Sequence, residues 1–339
     1  MSKKLTRRGF VAASLACVLA LAGCGSANSQ ATTQAATTAA EPTEVHVASL
    51  KGPTSIGLVS FMDKVANGDS GLANTYDFSI SAAADEIVPK VINGDVDIAL
   101  VPANVASVLY NKTEGAVQVL DVNTLGVLNV VTGDASVHTF ADLAGRTVYL
   151  TGKGASPEYV MNYLLEKAGI ADQVTLEFKS EAAEVVSALA ADPSAVGILP
   201  EPYKTAALAK NSSLTSPINL TDVWDEYATD GSRLLTGVTV VRREFAEQHP
   251  EAVREFVEQQ AASVEAVSAN PATYAQSVVD HGIIDAAPVA EKAIPGCGLT
   301  CLTGDEMKSA LSGYLGVLES SDASSVGGKL PGDDFYYVL

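Results

Sequence analysis

Cysteine and histidine are scarce in this chain, which has four of each in 339 residues. The four histidines do not cluster and show no metal-ligand spacing; they are His46, His138, His249 and His281. The sequence also lacks a serine nucleophile elbow and a phosphate-binding loop, because Gly152-Lys153-Gly154 does not have the P-loop spacing. We therefore predict no metal site, no cofactor and no catalytic residue.

Basic residues are also few compared with acidic ones. The chain has 21 Lys and Arg against 40 Asp and Glu, a formal net charge of −19. A nucleic-acid-binding protein needs a basic face, so this charge argues against nucleic acid as a partner. With 47% hydrophobic residues the composition is globular, and the length allows two domains with separate cores.

The chain also lacks a long apolar run. The one at the N-terminus, Phe10 to Ala22, is too short for an ordinary membrane span and follows a basic segment, as in a signal peptide. It ends in Leu-Ala-Gly-Cys24, which resembles a bacterial lipobox, whose cysteine is lipidated. An ordinary signal peptide with an incidental cysteine is the alternative. Arg7-Arg8 resembles a twin-arginine export signal, so both export routes stay open.

These features predict the N-terminal organisation. Residues 1–23 are a lipoprotein signal peptide, and residues 24–44 are the lipidated Cys24 followed by a flexible Ala/Thr/Gln/Ser tether that cannot bury a core. Anchor and tether would hold an exported domain at the outer face of the cell membrane. The other two cysteines of the mature chain, Cys297 and Cys301, are predicted to form a small-loop disulfide. A metal or redox pair is the less favoured reading, and the bonded state stays open.

Two stretches about 100 residues apart share a strand–turn–helix pattern. They are VHVASLKGPTSIGLVSF at 45–61 and TVYLTGKGASPEYVM at 147–161, with Ser55 and Ser156 in N-cap positions. A second pair, 86–109 and 184–207, aligns without gaps and matches Pro102 with Pro200. Two matches in the same order predict two equivalent α/β lobes.

The chain is predicted to cross between the two lobes twice. Strand-rich Gln118–Thr132 is predicted as the first crossing and apolar Leu235–Val241 as the return. Lobe one would then be residues 45–132 plus 235–339, and lobe two residues 133–234. Two crossings make a hinge whose closure can bury a ligand.

Several segments carry a resemblance to a known family. They are LKGPTSIGLV at 50–59, NGDVDIALVPANVASVLYN at 93–111, NTLGVL at 123–128, DLAGRTVYLTGKGASPEY at 142–159, GILPEPY at 197–203, EFAEQHPEAVREF at 244–256 and SVGGKLPGDDFYY at 325–337. They resemble ABC-transporter solute-binding lipoproteins of the type II periplasmic-binding-protein fold, in the nitrate/sulfonate/thiamine-pyrimidine group. The resemblance implies two lobes, each a mixed sheet flanked by helices. It also implies a monomer that carries a small-molecule ligand to an ABC permease and its ATPase.

Both strand-to-helix turns would then line the cleft. Helix N–H groups and hydroxyls suit an anionic or strongly polar ligand group, while a carboxylate suits an amine or ring N–H. The predicted ligand contacts are Lys51, Gly52, Thr54, Ser55, Asn104, Asn123, Thr124, Lys153, Gly154, Ala155, Ser156, Glu201 and Trp224. Each also has a plainer reading, as a tight turn, a helix cap, a solvated lysine, a hinge residue or, for Trp224, core.

Two rival functions remain. A ligand sensor would use the same fold to present a ligand to a receptor. An enzyme would act on a thiamine-pyrimidine-like or menaquinone-precursor-like substrate, and would need a nucleophile or base in the cleft. A permease and an ATPase among the genomic neighbours would favour transport. The sequence does not identify the ligand or the resting state of the cleft.

Overall fold

Strands and helices alternate along the chain in the computed structural model, which describes residues 41–68, 71–228 and 232–339. The predicted signal peptide, Cys24 and most of the predicted tether lie outside these residues. The strands are β1 Glu44–Leu50, β2 Thr75–Ser81, β3 Ile98–Pro102, β4 Val117–Leu125, β5 Leu128–Thr132, β6 Thr147–Leu150, β7 Thr175–Phe178, β8 Val196–Pro200, β9 Thr215–Asn219, β10 Leu235–Arg242 and β11 Leu299–Leu302.

Helices join most of these strands. They are α1 Pro53–Ile56, α2 Val59–Ala66, α3 Ala84–Asn93, α4 Ala103–Lys112, α5 Ser156–Lys167, α6 Ala182–Ala191, α7 Tyr203–Lys210, α8 Leu220–Tyr227, α9 Arg243–Gln248, α10 Pro250–Ala269, α11 Pro271–Asp280, α12 Ala287–Ala293 and α13 Gly304–Ser321. No helix among the described residues is long and apolar enough to span a bilayer.

Two mixed sheets form the two lobes. The first has the order β11-β4-β10-β3-β1-β2, and the second has the order β7-β6-β8-β5-β9. In each, three parallel strands (β2-β1-β3 or β7-β6-β8) are followed by an antiparallel one, β10 or β5. The predicted α/β class and the two equivalent lobes are confirmed. Residues 42–339 form one compact unit.

The chain changes sheet inside the segment predicted as the first crossing, Gln118–Thr132. Strand β4 ends at Leu125 in the first sheet and β5 begins at Leu128 in the second, so the change falls at residues 126–127. The run LGVLNVV is apolar except for Asn129, so its hydrophobicity does not show where within it the sheet changes. At the bend, a Cβ on Gly126 would overlap the Thr221 hydroxyl, so the residue must be small. Strand β10, which begins at Leu235, carries the return.

Helix α13 joins the cores of both lobes. It packs on α4, β4 and β10 of the first lobe and on α5 of the second. Its Tyr314 ring lies 5.6 Å from the Trp224 ring of α8, which in turn lies 4.9 Å from Tyr163. Trp224 is fully buried in this aromatic group. The C-terminal part of the chain, expected to pack on lobe one, thus reaches lobe two as well.

Both cysteines of the described region are free thiols. Cys297 is buried and its Sγ lies 3.2 Å from the Ala293 carbonyl oxygen, while Cys301 is half-buried in β11. The disulfide predicted between them is not formed in this structure and stays a prediction. In the described ranges, no group of three or more His, Cys, Asp or Glu side chains is arranged to hold a metal ion.

Candidate functional site

A cavity of about 210 Å3 lies between the lobes. It is formed where the parallel strands β1, β3, β6 and β8 end, which is the edge where α/β sheets usually bind ligands. Lobe one and the segment leading into β10 contribute Leu50, Lys51, Gly52, Pro53, Thr54, Pro102, Leu234, Leu235 and Thr236. The crossing and lobe two contribute Val127, Leu128, Thr151, Ala155, Ser156, Pro157, Val160, Pro200, Glu201 and Tyr203. The cavity is therefore walled by both lobes.

The turn after β1 supplies the lobe-one wall. Gly52 has φ 132°, a conformation that a residue with a Cβ rarely adopts, and Pro53 then begins α1. Thr54 Oγ1 donates to the Leu50 carbonyl at 2.8 Å and Ser55 Oγ donates to the same carbonyl at 2.6 Å. Ser55 is fully buried and also bonds Ser49 Oγ at 2.6 Å. Its hydroxyl thus braces the turn from behind the cavity.

The turn after β6 supplies the facing wall. Gly152 and Gly154 have φ of 82° and 72°. A Cβ on Gly152 would lie 2.8 Å from the Pro157 ring, so this position needs glycine for two reasons. Gly154 N donates to Glu158 Oε2 at 2.5 Å. The Lys153 and Gly154 side of the turn is exposed, and Ala155 and Ser156 face the cavity.

Glu201 is the buried charge of the cavity wall. It lies between β8 and α7, is 1% exposed, and is followed by a cis peptide bond to Pro202. Its Oε1 accepts from Lys204 Nζ at 2.7 Å and Thr205 Oγ1 at 3.0 Å, and its Oε2 from Thr205 N at 3.2 Å. The Lys204 ammonium and the helix N–H stabilise a carboxylate in this buried place.

A hydrogen bond crosses between the lobes beside the cavity. Ser156 Oγ at the start of α5 donates to Asn104 Oδ1 on α4 at 2.9 Å. Asn104 Nδ2 donates to the Ser325 carbonyl at 3.4 Å, and the Asn104 side chain is 2% exposed. The Tyr314 hydroxyl also faces Ser156, without the geometry of a hydrogen bond, and burial raises the pKa of Tyr314. Asn104 therefore lies behind Ser156 rather than on the cavity wall.

Three other predicted contacts lie outside this cavity. Asn123 Nδ2 donates to Thr239 Oγ1 at 3.2 Å, and Thr124 Oγ1 donates to Asn123 Oδ1 at 2.8 Å, all within lobe one. Trp224 Nε1 donates to the Ser232 carbonyl at 3.3 Å. All three are buried. The structure thus brings Lys51, Gly52, Thr54, Ala155, Ser156 and Glu201 together at one cavity. It places Ser55, Asn104, Asn123, Thr124, Lys153, Gly154 and Trp224 beside or away from it.

Most of the apolar wall was missed by the sequence reasoning. Four prolines line the cavity, each at or soon after the end of a strand: Pro53, Pro102, Pro157 and Pro200. Pro102 and Pro200 occupy matching positions in the sequence repeat. Because both lie at the ends of strands, they were the sequence feature from which the cavity wall could have been predicted. Tyr203 was also missed. Burial and the carboxylates of Glu181 and Asp285 raise its pKa, so its hydroxyl stays protonated at neutral pH.

A protein-family model matches more than half of the chain. It is described as NMT1/THI5-like, and it matches residues 77–274. No curated protein matches the chain in sequence.

Solved structures share the fold over most of the chain. An ABC transporter protein from Parabacteroides distasonis has a TM-score of 0.75 and 23% identity, covering 87% of this chain and 99% of that one. The periplasmic aliphatic sulphonate-binding protein of Escherichia coli has a TM-score of 0.68 and 14% identity, covering 87% and 91%. The periplasmic nitrate-binding protein of Synechocystis has a TM-score of 0.58 and 12% identity, covering 79% and 75%. These likenesses confirm the predicted two-lobed α/β fold.

Proposed function

Because the chain belongs to the NMT1/THI5-like family, as the match over residues 77–274 shows, we propose that it is an extracytoplasmic solute-binding receptor for an ABC importer. Its lobes close on a small polar or anionic organic solute, which the receptor then delivers to the transporter. The observation that carries this proposal is the cavity of about 210 Å3 walled by both lobes, beside two crossings on which the lobes can hinge. The type II periplasmic-binding-protein fold, as predicted, has the two hinged lobes that such closure requires.

The proposed partners follow from that role. The receptor works as a monomer with a permease and an ATPase, exported and held at the outer face of the membrane by lipid on Cys24. Strand β1 begins at Glu44, so a tether of about 20 residues would separate anchor and domain. By random-coil scaling such a tether spans roughly 25 Å, enough to let the domain reach a permease in the same membrane.

The side chains at the cavity favour ligand binding over catalysis. An enzyme would need a nucleophile or base there. Burial raises the pKa of both Cys297 and Cys301, which makes thiolate formation unfavourable, and neither lines the cavity. Glu201 is already engaged by Lys204 and Thr205. We therefore propose that the protein is not an enzyme.

A thermal-shift screen of the full chain tests the proposal. The panel holds amino acids, amines, aminopyrimidines, alkanesulfonates, short carboxylates and nitrate. A ligand at one hundred times its Kd should add about 2.7 kcal/mol to the free energy of unfolding. A hit should also lower the radius of gyration in solution scattering, because the lobes close. Hits without any change in scattering, or turnover of a hit, would contradict the receptor function.

A further inference from the structure

Two hydroxyl groups at the cavity, those of Thr54 and Ser156, donate their protons away from it. A carbonyl oxygen can only accept, so Thr54 Oγ1 must be the donor in its 2.8 Å bond to Leu50. That bond leaves only lone pairs of Thr54 Oγ1 for a ligand.

The same argument applies to Ser156 through Asn104. Asn104 Nδ2 must donate to the Ser325 carbonyl, which turns Oδ1 of the same amide towards Ser156. Ser156 Oγ is then the donor in the 2.9 Å bond between them. At 2% exposure Asn104 makes no contact with the cavity, but it decides which way the Ser156 proton points.

The charged groups around the cavity favour the same kind of ligand. Glu201 is on the wall and can only accept hydrogen bonds, although Lys204 offsets part of its charge. Glu158 already accepts from Gly154 N at the start of α5, so the chain itself supplies the negative charge that this helix terminus attracts. Among the described residues that line the cavity, Lys51 is the one cation, and it is exposed to solvent.

We propose that Asn104 is a positioning residue that holds the Ser156 hydroxyl as an acceptor, and that the cavity therefore selects ligands with N–H donors over oxyanions of the same shape. The ligand class is a compact amine, amidine or amide with an apolar body that fits the proline-lined walls. This inference rests on the proposed function and narrows its polar or anionic solute to a donor-bearing one.

Three probes of matched shape test the selection. Benzamidine, benzamide and benzoate share a ring and a planar head group. The head group of benzamidine presents only hydrogen-bond donors, that of benzamide presents donors and an acceptor, and that of benzoate presents only acceptors. Isothermal titration of the full chain should give benzamidine and benzamide affinities at least about tenfold above that of benzoate, which is about 1.4 kcal/mol. Tighter binding of benzoate would overturn the inference.

Asn104→Leu tests the positioning role. With the amide removed, the Ser156 hydroxyl can turn its proton into the cavity, and the ratio of benzamidine to benzoate affinity should fall roughly tenfold. Asn111→Leu is the matched control, because Asn111 lies on the same helix and donates to the neighbouring Val326 carbonyl at 2.8 Å. It should leave the ratio unchanged. An equal loss for all three probes in Asn104→Leu would show a structural role only.

A second variant protects the test against poor folding. Ser156→Ala removes the acceptor itself and should weaken benzamidine more than benzoate; the opposite order would overturn the inference. The solute panel separates this inference from the proposed function. An oxyanion as the panel's tightest hit would overturn the inference and leave the receptor function standing. No hit among the panel and the three probes would contradict both.

Discussion

At the scale of single residues, Asp121 makes stability depend on pH. It is fully buried in β4, where Oδ1 accepts from Thr239 and Gln260, both at 3.0 Å. Its Oδ2 has no hydrogen-bond partner within the described part of the chain. Burial raises the pKa of Asp121 to about 8, against an opposing effect of the two hydrogen bonds. The neutral acid is therefore the form that the fold accommodates at neutral pH.

The sign of the effect follows from proton binding. Between about pH 4 and pH 8 the unfolded chain has released this proton and the folded chain keeps it, so stability falls as pH rises. The fall is at most about 1.4 kcal/mol per pH unit and ends above the folded pKa. Asp121→Asn should remove this contribution, so that urea unfolding at pH 5 and pH 8 gives more similar free energies than in the unchanged protein.

The exposed Asp225 provides the control for Asp121. Asp225→Asn changes the same side chain on the surface of α8 and should leave the difference between pH 5 and pH 8 unaltered. If Asp121→Asn kept the full pH dependence, the buried carboxyl would not be its source.

At the scale of elements, the turn between β6 and α5 depends on Gly152. Alanine there would adopt a left-handed φ of 82° and would bring its Cβ to 2.8 Å from the Pro157 ring. Gly145 has φ 77° but nothing within 4 Å of its Cβ position. Gly145→Ala should therefore cost only the backbone strain, about 1 kcal/mol, and Gly152→Ala should cost clearly more in urea unfolding.

The two variants also distinguish backbone strain alone from a movement of the cavity residues at the start of α5. Because Ala155 and Ser156 follow the turn, only Gly152→Ala should weaken the tightest hit of the solute panel. Equal ligand affinities in the two variants would show that α5 keeps its place without a glycine.

The sequence predicts the positions of the helices and strands better than it predicts which of them contact each other. The repeated strand–turn–helix pattern placed β1, β6 and the approximate starts of α1 and α5, because glycines and prolines act locally. The predicted N-caps Ser55 and Ser156 are wrong: the N-caps are Gly52 and Ala155, and both serines lie inside their helices. The predicted crossing, residues 118–132, contains the change of sheet at residues 126–127, but the sequence does not locate it more closely, since a mostly apolar strand looks the same in either sheet. The Ser156–Asn104 bond joins residues on different lobes, so no local pattern could show that Asn104 lies behind the cavity.

At the scale of the whole molecule, the lobes lie close together where Gly296 meets Glu201. A Cβ on Gly296 would lie 2.9 Å from Glu201 Oε1 and 3.2 Å from its Cγ. Glu201 is held by Lys204 and Thr205 and cannot easily turn away. Gly296→Ala should therefore keep the lobes slightly apart, and a receptor that binds by closure should lose affinity for its ligand about tenfold, or about 1.4 kcal/mol.

Gly316 on α13 is the matched control, because nothing lies within 4 Å of its Cβ position. Solution scattering with the tightest panel hit should show a smaller ligand-induced decrease in radius of gyration for Gly296→Ala than for Gly316→Ala. Since Gly296 does not line the cavity, a loss of affinity together with reduced closure would tie binding to the movement of the lobes. Full closure and full affinity in Gly296→Ala would instead mean that Glu201 yields, and that this contact does not limit how far the lobes close.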